Sequence, residues 1–142
     1  MQIRKADAED LPEIIKLDAV AGACSDRFAL LRDAIATGEC ILAVHGKSVL
    51  GYLVLNHSFY EHSFIALLYV STASRRQGIG SSLLRAAEAT CRTAKLFTST
   101  NQSNHAMLAL LKASGWQPSG VIHNLDPGDP ELVYVRLREG AV

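Results

Sequence analysis

The sequence predicts an α/β domain built on one mixed β-sheet. Three observations carry that prediction. Apolar residues repeat with a period of two in some segments and near 3.6 in others, and the two kinds alternate along the chain. A wholly apolar run, Phe64 to Val70, stands near the middle. A basic, glycine-bearing loop follows it and leads at once into an amphipathic pattern. The order reads β α α β β β, loop, α β α β β. Antiparallel hairpins come first and a strand–helix–strand unit lies in the middle. Such connections imply a mixed sheet of about six to seven strands with about four helices.

The chain has 142 residues, which fits a single domain over residues 1–142. Hydrophobic residues make up 49%, enough for one core. Lys+Arg and Asp+Glu both number 14, so there is no basic excess of the kind that nucleic-acid or membrane-surface binding requires. No nucleic-acid or membrane partner is expected. The start, Met1 to Asp7, has no apolar signal core, and no apolar run reaches membrane length. Cys24, Cys40 and Cys91 are widely spaced and read as buried free thiols of a reducing compartment. The expectation is a cytoplasmic protein. His45, His105 and His123 are isolated, so no metal site is expected.

In chain order, Gln2 to Lys5 is a short strand. Asp7 or Asp10 can cap a helix whose apolar face is Leu11, Ile14, Ile15 and Leu17, with Pro12 in its first turn. A second helix runs from Ser25 to Thr37. Its stripe is Phe28, Leu31, Ala34 and Ile35, and Gly38 follows as a C′ residue. The small, irregular stretch Ala19 to Cys24 either borders a ligand cleft or simply connects the helices. The plain connection is preferred. Cys40–His45 and Ser48–Asn56 form a hairpin around Gly46-Lys47. Gly51 inside its second strand marks a bulge or a close contact.

His57 to Ser63 reads as a polar turn. Phe64 to Val70 then reads as the central strand, apolar on both faces. Beyond the loop, Ile79, Leu83, Leu84, Ala87 and Cys91 recur at helical spacing. Lys95 to Thr100 is a strand, Asn101 to Asn104 supply caps, and Ala106 to Ala113 is an apolar helix ended by Gly115. Trp116–Asn124 and Glu131–Arg138 are strands joined by the turn Asp126-Pro127-Gly128-Asp129-Pro130. Exposed edges near the C-terminus leave room for a homodimer.

The loop carries the chemistry. Unpaired N–H groups at a helix start bear the positive end of the helix dipole, and glycines let an anion approach them. Gln77, Gly78, Ile79, Gly80 and Ser81 can present such donors. Arg75 and Arg76 can add charge-assisted contacts to phosphate oxygens. A dinucleotide loop is excluded, because Leu83 stands where a third glycine belongs.

The residues Val70-x4-Arg75-Arg76-Gln77-Gly78-Ile79-Gly80-Ser81 resemble the acyl-CoA-binding signature of the GNAT superfamily of N-acetyltransferases. Asn104-His105-Ala106-Met107-Leu108-Ala109-Leu110-Leu111-Lys112-Ala113-Ser114-Gly115-Trp116 looks like that superfamily's second conserved segment. The element order fits from end to end.

The resemblance implies acetyl-CoA as acyl donor and a cleft between the two central strands. It implies that the pantetheine arm pairs with Leu68 to Val70. A backbone N–H near Val70 would then stabilise the oxyanion. Asn104 would contact the coenzyme near its sulfur, and can cap the next helix at the same time. The implied reaction is direct attack of an amine, from a small molecule or a peptide, on acetyl-CoA.

The sequence departs from the family pattern where acid–base side chains are usual. Leu111 aligns with the family's tyrosine, Phe64 with one glutamate and Ser99 with another. Glu61, His62, Tyr69 and Tyr134 are the candidate replacements; a thiolate leaving unaided and a water relay are the alternative. The acidic residues Asp126, Asp129 and Glu131 either hold a cationic acceptor or serve the turn. The competing function is an acyl-CoA-binding regulatory module of the same fold, with little or no turnover.

Overall fold

The computed structural model describes residues 1–18 and 22–138. Residues 19–21, and with them part of the expected 19–24 connection, lie outside the described residues. The strands are β1 (Gln2–Lys5), β2 (Cys40–His45), β3 (Ser48–Phe59), β4 (His62–Val70), β5 (Lys95–Asn101), β6 (Gln117–Ile122) and β7 (Glu131–Leu137). The helices are α1 (Leu11–Leu17), α2 (Ser25–Ala36), α3 (Ile79–Thr90) and α4 (His105–Ala113). The sheet has seven strands in the order β1-β2-β3-β4-β5-β7-β6, in the mixed α/β arrangement expected. By internal contacts the chain forms two compact units, Met1–Asn56 with Leu67–Thr90, and His57–Ala66 with Cys91–Val142.

The first unit is built on an antiparallel meander. β1 pairs β2 from Gln2↔Val44 to Lys5↔Ile41, and β2 pairs β3 with a register shift between Ala43 and Val44. Ile41, Leu42, Ala43 and Val44 are all buried, so β2 has no solvent face. α2 and α3 pack on it, and α1 packs on α2. A short 3-10 turn, Ala8–Asp10, leads into α1 and is capped by Asp7. Its carboxylate accepts from Glu9 N while Asp10 returns a bond to Asp7 N, a reciprocal cap. Pro12 sits in the first turn, where its missing N–H costs nothing.

Two expectations about these helices need correcting. In α1 only Ile14 is fully buried; Leu11, Ile15 and Leu17 are half-buried. In α2 the buried stripe is Leu31, Ala34 and Ile35, and Phe28 is 37% exposed. Periodicity identifies a helix face but not how far along the helix a neighbour covers it. Gly38 closes α2 at φ +76°, the left-handed geometry expected of a C′ glycine.

The second unit holds the tip of the β3–β4 hairpin and the C-terminal strands. The stretch read as a polar turn, His57 to Ser63, is mostly strand. Only Tyr60 and Glu61 turn, at φ 49° and 66°. The polar pairs His57-Ser58 and His62-Ser63 lie within the two strands, and Ser63 is buried. β4 pairs β5 in parallel over three positions, Ser63↔Leu96, Phe64↔Phe97 and Ile65↔Thr98. At the last of these the Thr98 hydroxyl donates to the Ile65 carbonyl at 3.0 Å. β5 pairs β7 antiparallel along its whole length.

β6 forms the sheet edge and every residue of it is exposed. Pro118 and the register shift between Pro118 and Gly120 interrupt its hydrogen-bonding edge, a common protection against strand addition. Trp116, expected to start this strand, lies just before it and is buried. β4 was expected to be apolar-covered on both faces, yet Ala66 to Val70 are half-buried.

Candidate functional site

Within the first unit, the end of β4 runs into the loop and then α3. Ser71 N donates to the Leu50 carbonyl on β3 at 2.8 Å. Backbone groups alternate sides along a strand, so Tyr69 also faces β3. Leu68 and Val70 direct their N–H groups to the opposite edge. Gly51 lets β3 come close here. A Cβ on it would stand 2.7 Å from the Tyr69 carbonyl oxygen and 3.3 Å from Val70 Cα. Both readings of Gly51, bulge and close contact, therefore meet at one place.

A short turn, Thr72–Ser74, follows, closed by Ser74 N donating to the Ser71 carbonyl at 2.9 Å. Arg76 and Gly78 then take positive φ, 65° and 78°. Two left-handed residues in three turn the chain sharply into α3. Ile79 is buried and anchors the start of the helix, together with Leu83, Leu84 and Ala87. The first helical bond runs from Ser82 N to the Gly78 carbonyl at 3.0 Å. The N–H groups of Ile79, Gly80 and Ser81 thus precede any intrahelical acceptor and carry the dipole's positive end.

Arg75, Arg76, Gln77 and Gly78 are exposed, and a Cβ built on Gly78 meets nothing within 4 Å. Backbone donors at a helix start beside an open glycine are the kind of group that can hold a phosphate.

Arg75 has contacts within the unit. Its Nε donates to the Val70 carbonyl at 3.3 Å, and its guanidinium lies 6.0 Å from the centroid of the Tyr69 ring. It braces the strand end through Nε. Arg75 and Arg76 are both exposed. The Tyr69 ring stacks on Tyr52 at 5.9 Å with 22° between planes. Tyr52 is fully buried and its hydroxyl donates to Asp18 Oδ2 at 2.5 Å. Burial, then the bond to Asp18, push the Tyr52 phenol far above its ordinary value, so it stays a proton donor. Asp18, also fully buried, pairs with Arg27 at 3.2 Å. Sequence reading missed Asp18, Arg27 and Tyr52. No local pattern links positions so far apart; the only available signal was an aspartate at the end of an apolar helix face.

Within the second unit, Asn104 Oδ1 caps α4 by accepting from Met107 N at 3.2 Å. Leu111, at the position usual for a tyrosine, is fully buried. Glu61 is exposed in the turn that precedes β4, whereas Val70 ends that strand. His62 sits edge-on to Phe97 at 5.6 Å with its Nδ1 buried and unbonded, an apolar setting. Tyr134 is half-buried on β7, opposite Thr98 and Pro118.

The acidic residues near β7 are engaged. Asp126 accepts from Asn101 Nδ2 at 2.8 Å, and Asp129 from Ser103 N at 3.0 Å and Ser103 Oγ at 2.6 Å. Glu131 accepts from Ser99 Oγ at 2.7 Å. They pin the turn to the end of β5, which favours the turn reading over acceptor binding. No group of metal-ligating side chains occurs among the described residues, and no helix there is long and apolar enough to cross a membrane.

Residues 8–116 match the model of the acetyltransferase (GNAT) family. The fold is also that of several solved structures. A GNAT-family acetyltransferase of Bacillus cereus is 33% identical, with 96% of each chain covered and a TM-score of 0.90. The ribosomal-protein-S18-alanine N-acetyltransferase of Escherichia coli is 19% identical, covering 99% of this chain and 96% of that one, with a TM-score of 0.78. The protein yncA of Salmonella typhimurium, solved with its cofactor acetyl-CoA, is 17% identical, covering 100% and 96%, with a TM-score of 0.78. No curated protein matches the chain in sequence. The family match over most of the chain and the B. cereus similarity agree with the loop geometry: this chain belongs to the GNAT acetyltransferase family, which uses acetyl-CoA as its acyl donor.

Proposed function

We propose that the chain is an N-acetyltransferase that moves an acetyl group from acetyl-CoA to a primary amine of a small molecule or peptide. The observation that carries this reading is the strand–loop–helix junction, where β4 runs into a turn with left-handed Arg76 and Gly78 and then into the start of α3. The N–H groups of Gly78 to Ser81, with Arg76, would hold the pyrophosphate. Leu68 and Val70 would pair with the pantetheine arm, since their backbone groups face away from β3.

Acetyl-CoA supplies an activated thioester carbonyl. The Val70 N–H would donate to the negative charge that grows on that oxygen as the amine attacks. Arg75 holds the Val70 carbonyl, in the peptide after that N–H, and so steadies the backbone on its C-terminal side. Leu111 has no proton to give, and the ring contacts of Tyr69 with Tyr52 and Arg75 leave its hydroxyl as the side-chain candidate for an acid. The reading rests first on proximity and the Val70 contact, with water taking the amine proton. Glu61, in the turn at the other end of β4, is not favoured.

Thiol release from acetyl-CoA, measured across an amine panel at several pH values, tests this. Amine-dependent release is expected. If no amine elicits release while coenzyme A still raises the melting temperature, the chain is instead an acyl-CoA-binding module.

A further inference from the structure

Asp18 is a carboxylate wholly removed from solvent. Burying an ion pair contributes little net stability, and apolar replacements of similar volume often do as well or better. The pair formed with Arg27 is thus poorly explained by stability alone. What it does accomplish is geometric. Asp18 ends α1, Arg27 lies on α2, and Tyr52 comes from β3. The bond to Asp18 fixes the Tyr52 ring by its far end, while Gly51, the residue before it, lies against the backbone of Tyr69 and Val70. The Tyr52 ring meets the Tyr69 ring, the Tyr69 ring meets the Arg75 guanidinium, and Arg75 bonds the Val70 carbonyl. Each contact links to the next without a gap.

We propose that Asp18 and Tyr52 are positioning residues for acyl transfer, acting through the Tyr69 ring on Arg75 and so on the peptide that follows Val70. The inference rests on the reading of the Val70 N–H as the oxyanion donor. A donor of this kind works only when it is aimed where charge develops. Loosening its support lowers the rate of the chemical step far more than the affinity for coenzyme A, whose pyrophosphate the loop at Gly78 to Ser81 would hold.

The test compares Tyr52→Phe, Asp18→Ala and Asp18→Asn with Arg4→Ala, which removes a different ion pair of the same unit. All are assayed well below their melting temperatures. Tyr52→Phe and Asp18→Ala are expected to lower kcat about tenfold, because small misplacements of reacting groups are costly in rate. Their Kd for coenzyme A should stay within about twofold of the parent, because the phosphate cradle is untouched. Asp18→Asn keeps an acceptor for the Tyr52 hydroxyl and should recover part of the rate. Arg4→Ala should lose stability and no rate.

Amide NMR gives a readout that does not depend on turnover. In Tyr52→Phe the Val70 and Ser71 resonances should move while those of Gly78 to Ser81 stay. An unchanged kcat in an active parent, or unmoved Val70 and Ser71 resonances, overturns the proposal. A parent that releases no thiol overturns the functional reading instead, and the resonances still decide the relay.

Discussion

Gly51 stands so close to Tyr69 that any side chain at 51 would begin 2.7 Å from the Tyr69 carbonyl oxygen. The listening edge of β4, Leu68 and Val70, lies on the other side of the same strand end. Gly51→Ala must therefore push β4 away from β3. A loss of about 1–3 kcal/mol in denaturant unfolding is expected, the usual range for overpacking against a fixed neighbour. Acetyl transfer should fall with it, since the displaced segment includes Val70. Unchanged stability would mean that the strand end yields without cost.

Gly80→Asp places a side chain and a negative charge on the first turn of α3. The expected outcome is loss of the rise in melting temperature that coenzyme A produces, with the fold retained. Persistence of the rise would show that the pyrophosphate binds elsewhere.

Leu111→Tyr restores the side chain usual in the family. Leu111 is fully buried, so the larger ring has to force its way into a filled core and bury a hydroxyl. Destabilisation of about 1–3 kcal/mol is expected, with no gain in kcat. A faster enzyme would show that the position reaches the reacting thiol after all.

Much of this was legible in the sequence, for physical reasons. Ile79, Leu83, Leu84 and Ala87 announce α3 because one helix face meets the core, and the glycines announce the loop because only a few residues tolerate its φ values. Leu111 was readable as a residue without a proton. The direction of Arg75 was not, because a long cation serves an anion or a carbonyl equally well. The link from Asp18 to Tyr52 was hidden too. It joins a helix end to a strand that is distant in sequence, and only tertiary packing creates it. The acidic turn was open to two readings, and Asn101, Ser103 and Ser99 hold its carboxylates in favour of the turn.

Acid should weaken the first unit through Asp10. Two bonds from Arg4, at 2.8 and 2.9 Å, together with the Asp7 N–H hold the Asp10 carboxyl below its ordinary value of 3.8. A depressed folded value contributes stability that is present above the unfolded value and lost as pH falls through the folded one. Between about pH 5 and about pH 2 the parent should lose stability more steeply than Asp10→Asn. Parallel curves would remove Asp10 from the account of acid unfolding.

Thiol labelling separates the cysteines. Burial, and then the charge of Asp10, push the Cys40 thiol up to about 12, and Cys91 is buried as well. Cys24 is exposed. A maleimide at neutral pH should modify Cys24 alone in the folded protein and all three cysteines in denaturant. Native labelling of Cys40 would indicate that β2 opens locally.

The turn between β3 and β4 holds an unspent reserve. Tyr60 and Glu61 both adopt left-handed backbone, which costs an ordinary residue roughly 1 kcal/mol and costs glycine almost nothing. Replacing the pair with Asn-Gly would release that strain in a segment that includes neither Val70 nor the loop at Gly78. For protein engineers the hairpin tip is a source of tolerance, from which destabilising changes elsewhere in the chain can be offset.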